Sequence, residues 1–164
     1  MSAVSRLLDR ILPNVLVLLL SAMVVAVTWQ VVSRYLLASP SPWTEEVARF
    51  LLIWIGMLGA AYAFRTRMHI GLDLLPQKLT GVSAQLLRAL TLGVVVLFAV
   101  TILIVGGLNL VLLTWELRQT SAALGLPVSI VYSVIPLSGL LIVFYSLAEL
   151  SVAPTSTERL ERPG

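Results

Sequence analysis

The sequence predicts an all-α integral membrane protein. Four transmembrane helices form one domain, with an amphipathic N-terminal lead before the first and a short interfacial amphipathic helix between the second and third. Both termini are expected in the cytoplasm. Three observations carry this reading. Of 164 residues, 59% are hydrophobic and 12% charged, about half the charged share of an ordinary soluble domain. Charge-free runs at 11–33, 50–64, 89–115 and 119–148 approach or exceed the roughly 20 apolar residues that a bilayer span needs. Lysine and arginine also collect on one side of those runs. With so few charges, the net +3 forms no phosphate-binding patch, so lipid rather than nucleic acid is the expected surrounding. The chain has no cysteine, which excludes disulfides, thiolate metal sites and cysteine nucleophiles.

Residues 1–12 carry Arg6, Asp9 and Arg10 between Leu7, Leu8, Ile11 and Leu12, a pattern suited to an amphipathic lead at the interface. Pro13 is expected to mark its junction with the first span, 13–33. That run exceeds a signal-peptide core and ends in Trp29 and Arg34 without a small-residue cleavage site, so it reads as a retained helix. The connector 38–42, ASPSP, is a tight turn. Pro42 suits the first position of the next helix, Ser41 its cap, and Glu45 and Glu46 the positive end of its dipole. The second span, 44–64, holds Arg49, which reaches the interface by snorkelling. Arg65, Arg67, His69, Asp73, Lys78 and Arg88 follow, interleaved with Ile70, Leu72, Leu74, Leu75 and Leu79. Those apolar residues suit a short helix lying along the membrane surface. The third span covers about 84–115. Pro127 opens the fourth, 127–148, with a kink expected at Pro136 beside Gly139. One membrane domain, 1–151, then leaves 152–164 as a disordered cytoplasmic tail.

Orientation follows from the basic residues. With the N-terminus inside, the cytoplasmic side holds Arg6, Arg10, Arg65, Arg67, Lys78, Arg88, Arg159 and Arg162, against Arg34, Arg49 and Arg118 outside. Eight against three favours both termini in the cytoplasm. Trp29, Tyr35, Trp43, Trp115 and Tyr132 then form an outer aromatic belt.

At 100° per residue, Glu45, Arg49, Leu52, Gly56, Gly59, Ala60 and Ala63 share one stripe of the second helix. Small residues let another helix approach closely, the main route to association in lipid. Trp54 lies opposite the stripe, where it packs against another chain, within the bundle or against lipid. Glu45 and Arg49 stand i, i+4 with the acid first, the better order for a helical ion pair. A metal site at Glu45 and Glu46 is disfavoured, because adjacent residues diverge by 100° and no histidine lies on that side. His69, the sole histidine, cannot supply paired haem ligands, and no nucleophile-elbow pattern accompanies it. Asp73, four residues on, is its expected structural partner. No catalytic residue, metal or cofactor is expected. A self-sufficient carrier would need a coupling carboxylate or a broken helix within a span. The spans offer isolated polar groups such as Ser21, Thr91, Thr101, Asn109 and Ser138, so a small carrier or stand-alone adaptor is the weaker alternative.

The run RYLLASPSPWTEEVARFLLIWIGMLGAAYAFRTRMHIGLDLL closely resembles the small membrane subunit of tripartite ATP-independent periplasmic (TRAP) transporters, the DctQ type. Arg34-Tyr35, Trp43, Glu45-Glu46, Arg49, Trp54, Gly59-Ala60 and His69-Ile70 followed by Asp73 carry the likeness, and Leu126-Pro127 extends it to the fourth span. The resemblance implies a bacterial inner-membrane subunit held in a stable complex with a large permease subunit, which carries the substrate and sodium sites. A periplasmic binding protein would deliver the solute, typically an organic acid. On this reading Glu45, Arg49, Gly56, Gly59, Ala60, Ala63 and Trp54 face the partner. Arg34, Tyr35, Trp43 and Glu46 form an outer rim, and Arg65, Arg67, His69 and Asp73 an inner surface clamp.

Overall fold

A computed structural model describes residues 3–39, 41–66 and 82–151. Among them the chain is helical: α1 (Ala3–Tyr35), α2 (Pro42–Arg65), α3 (Val82–Phe98), a π-helical segment (Ala99–Gly106), α4 (Gly107–Glu116), α5 (Val128–Tyr132) and α6 (Val134–Ser151). Four stretches are long and apolar enough to cross a membrane: Ser5–Tyr35, Pro42–Arg65, Ala89–Glu116 and Val128–Ala148. The expected surface helix, with Arg67, His69 and Asp73, and the tail 152–164 lie outside the described residues.

The lead and the first span are one helix. Pro13 sits inside α1 rather than at a junction, because a proline forfeits a single bond, here to the Asp9 carbonyl, and membrane helices tolerate that loss. At 33 residues and ~1.5 Å rise, α1 spans roughly 50 Å, well beyond the ~30 Å hydrocarbon layer. Its buried and half-buried positions Ser5, Leu8, Leu12, Val15, Leu16, Leu19, Ala26 and Ser33 recur at helical spacing, so the lead and the span present one continuous face to α2.

Ser41 occupies the α2 cap position and Pro42 the first turn, yet the Ser41 hydroxyl makes no capping bond. The bond runs the other way, with Thr44 Oγ1 donating to the Ser41 carbonyl at 2.8 Å. The turn before it passes through Ala38 at φ +47°.

The third span holds the irregular element. The π-helical segment Ala99–Gly106 interrupts α3 and α4, and Thr101 Oγ1 donates to the Leu97 carbonyl at 2.7 Å. The span closes at Arg118, φ +48°, where Arg118 N–H reaches the Trp115 carbonyl and Gln119 N–H the Thr114 carbonyl, a Schellman-type end. The fourth span is interrupted at Ser133, between α5 and α6. Pro136 cannot bond to the Tyr132 carbonyl and crowds it, so the break falls one turn before the proline.

Packing runs α1 on α2, α2 on α6, and α6 on the π-helical segment, with α4 on α5. The fourth span is therefore central and is by far the most buried of the four. Leu12, Leu58, Val134 and Tyr145 form the core, with Trp54, Met57, Ile135 and Phe144 against them. At two glycines, spans three and four approach closely. A Cβ at Gly139 would stand 2.8 Å from Leu103 Cβ and 3.2 Å from the Ala99 carbonyl, and one at Gly107 would stand 2.9 Å from Pro136 Cδ.

Candidate functional site: an open helix face between two polar clasps

α2 exposes one stripe along its length. Glu45, Arg49, Leu52, Gly56 and Ala60 are exposed, and Gly59 and Ala63 are half-buried. A Cβ added at Gly56 or Gly59 would meet nothing within 4 Å. Small side chains thus leave a shallow, unfilled surface. Trp54 turns the other way and packs on the core, as the 100° step per residue requires. Its indole fills the inside of this chain, the intra-bundle position of the three considered.

Glu45 and Arg49 pair at 3.1 Å, as their i, i+4 spacing predicts, with side chains 55% and 65% exposed. Glu46, one residue on, points away from that stripe and does something the sequence did not announce. Its Oε2 accepts from Ser121 Oγ at 2.8 Å and from the Ala123 and Leu124 amides at 2.9 Å, and its Oε1 accepts from the Ala122 amide at 2.9 Å. One carboxylate thereby holds the loop between the third and fourth spans against the start of the second. At the same end Arg34, Tyr35 and Trp43 are exposed.

A second clasp sits at the opposite end of α2. Arg65 donates to Asp9 in a two-pronged pair, Nε to Oδ1 at 3.0 Å and Nη2 to Oδ2 at 2.9 Å, with both side chains about one-third exposed. The guanidinium also lies 5.6 Å from the centre of the Tyr145 ring, a cation–π distance. So α1, α2 and α6 meet around Arg65. Of the four residues proposed as an inner clamp, Arg65 is the described one, and its described partner is Asp9. The sequence did contain a signal: Asp9 is the one acidic residue before the first span, and Arg65 is the first base after the second, so an antiparallel pair brings them level.

Several hydroxyls inside the spans are spent on their own helices, while, among the described residues, Ser129 Oγ and Tyr145 Oη are buried without a hydrogen-bond partner. Ser21, Thr101, Thr114, Ser138 and Ser146 each donate to a carbonyl three or four residues earlier, the usual way for a hydroxyl to be satisfied in lipid. Among the described residues, four stretches apolar enough to cross a membrane, an exposed small-residue face and two polar clasps stand together. Residues 23–153 match the family described as tripartite ATP-independent periplasmic transporters, DctQ component.

The chain belongs to the DctQ family. Among its relatives, the C4-dicarboxylate TRAP transporter small permease protein DctQ of Rhodobacter capsulatus is 35% identical over 102 residues, covering 62% of this chain and 44% of that protein. The sialic acid TRAP transporter small permease protein SiaQ of Vibrio cholerae is 29% identical over 154 residues, covering 88% and 82%. The isethionate TRAP transporter permease protein DctMQ of Oleidesulfovibrio alaskensis is 33% identical over 123 residues, covering 71% of this chain and 19% of that protein. This DctQ-family chain is thus a multi-pass inner-membrane component of a TRAP transporter, a membrane subunit and not an enzyme.

Proposed function

We propose that this chain is the small accessory permease subunit of a sodium-coupled TRAP importer. It braces a large permease subunit through the open face of α2, and its rim helps dock a periplasmic substrate-binding protein. The observation that carries the partnership is the isethionate relative, in which a stretch similar to this chain makes up 19% of one longer permease protein. A unit that occurs covalently joined to a larger permease chain is suited to stable association when separate. The small-residue face supports the same reading, since close helix approach in lipid needs small side chains at the contact.

The distribution of arginine and lysine supports an orientation with both termini in the cytoplasm. Glu46 and the rim of Arg34, Tyr35 and Trp43 then face the periplasm, and Asp9, Arg65, Arg67, His69 and Asp73 lie at the cytoplasmic surface. The relatives are named for C4-dicarboxylate, sialic acid and isethionate, all organic acids, so an organic anion is the proposed solute class. Co-purification with a large TRAP permease subunit tests the proposal. Reconstituted uptake should require sodium and both membrane subunits. Sodium-driven uptake by this chain alone in proteoliposomes would overturn the proposal in favour of a small carrier.

A further inference from the structure

The loop after Glu116 is closed partly by its own backbone. Ser121 N–H donates to the Leu126 carbonyl at 2.8 Å, Gly125 N–H to the Ser121 carbonyl at 3.0 Å, and Val128 N–H to the Gln119 carbonyl at 2.9 Å. Gly125 adopts φ +66°, which lets the chain reverse tightly. The next three amides, those of Ala122, Ala123 and Leu124, turn instead to the Glu46 carboxylate, 76 to 78 residues away in sequence. Successive N–H groups converging on one anion form a concave nest, and here the anion belongs to a different helix. The outward side of this loop is open, with Ala122, Ala123, Gly125 and Leu126 exposed.

We infer that Glu46 is a positioning residue of the transporter, holding residues 121–124 in one conformation so that an ordered loop is presented at the rim. The inference rests on the importer reading above. A preordered loop meets a transient partner without a further ordering cost, so losing the clasp weakens the encounter with the binding protein more than the stable membrane complex. Glu45, its neighbour, has no such role, because its carboxylate is committed to Arg49 on the exposed stripe.

The test uses the full complex with the large subunit and the binding protein, in lipid nanodiscs for hydrogen exchange and in proteoliposomes for uptake. Glu46→Ala should leave co-purification unchanged and lower protection at the amides of 122, 123 and 124 by roughly tenfold or more, while Val128 stays protected. The binding-protein concentration for half-maximal uptake should rise about tenfold at a similar maximal rate. Glu46→Gln should be selective. Its one carbonyl oxygen can replace Oε2 with three partners, but its NH2 then faces the Ala122 amide, so protection falls at Ala122 and persists at 123 and 124. Ser121→Ala removes one donor to Oε2 and also the hydroxyl that accepts from the Leu124 amide at 3.3 Å, so protection should fall at 124 and persist at 122 and 123. Unchanged protection in Glu46→Ala overturns the inference, and so does lost protection with unchanged uptake. If wild-type chain neither co-purifies with the large subunit nor supports uptake, the importer reading falls, while the exchange measurement still decides whether Glu46 holds the loop.

Discussion

At the scale of single residues, two ion pairs on α2 have similar distances, 3.1 and 2.9 Å, and differ in physics. Glu45 and Arg49 are more than half exposed and singly bonded, so each charge keeps much of its solvation and the pair contributes little. Asp9 and Arg65 form two parallel bonds with two-thirds of each side chain covered, where geometry and lower local dielectric both strengthen the attraction. Double-mutant cycles by equilibrium unfolding in mixed micelles should give a coupling of about 1–2 kcal/mol for Asp9→Asn with Arg65→Gln. The Glu45→Gln and Arg49→Gln cycle should stay below about 0.5 kcal/mol. A reversed ranking would show that the Arg65 end is not a clasp. The i, i+4 pair was legible in sequence because its geometry is set by one helix. The Asp9 and Glu46 partnerships cross 56 and more residues, and no local rule selects them.

At the scale of elements, glycine divides into two kinds. Gly139 and Gly107 are where spans three and four touch, and a methyl group at Gly139 meets the Ala99 backbone carbonyl, which cannot turn aside. Gly139→Ala should destabilise the isolated chain by about 1–3 kcal/mol. Gly56→Ala, with open space around it, should instead stabilise by about 0.5–1 kcal/mol through reduced backbone freedom. Thermal unfolding in detergent separates the two outcomes, and destabilisation by Gly56→Ala would mean that the α2 face is already filled within this chain. The sequence marked Gly56 and Gly59 because they lie on a stripe with Ala60 and Ala63. It marked Gly139 only as a neighbour of the Pro136 kink and Gly107 not at all, since their closeness depends on how the π-helical segment and the break at Ser133 place one span against the other.

At the scale of the whole molecule, helix order leaves one broad side uncovered. The first span touches α2 alone among its main contacts, and Val17, Leu18, Val24 and Val25 are more than half exposed, as suits lipid. The α2 stripe differs in being small rather than bulky. On the importer reading, Gly56→Leu or Ala60→Leu should lower affinity for the large subunit about tenfold, while Leu18→Ala leaves it unchanged. Leu58 is no control for this comparison, because it is 4% exposed in the core and Leu58→Ala should cost about 2–5 kcal/mol of fold stability. Quantitative pull-down from lipid nanodiscs decides it, and equal retention of all the variants would place the interface elsewhere.

The sequence by itself determined the helical class, four apolar stretches whose observed limits it missed only at the starts of the first and third, the Pro42 start, and the Glu45–Arg49 pair. These are local consequences: a chain in hydrocarbon must satisfy its backbone within each helix, and 3.6 residues per turn fixes which side chains share a face. Tertiary structure decided that Pro13 lies within a helix, that the fourth span is central, and that spans three and four cross at Gly107 and Gly139. It also decided that Glu46, expected only at the helix start and rim, and Asp9 fasten the two ends of α2. Such choices depend on which side chains arrive together when the helices pack, and that information is spread over residues far apart in the chain.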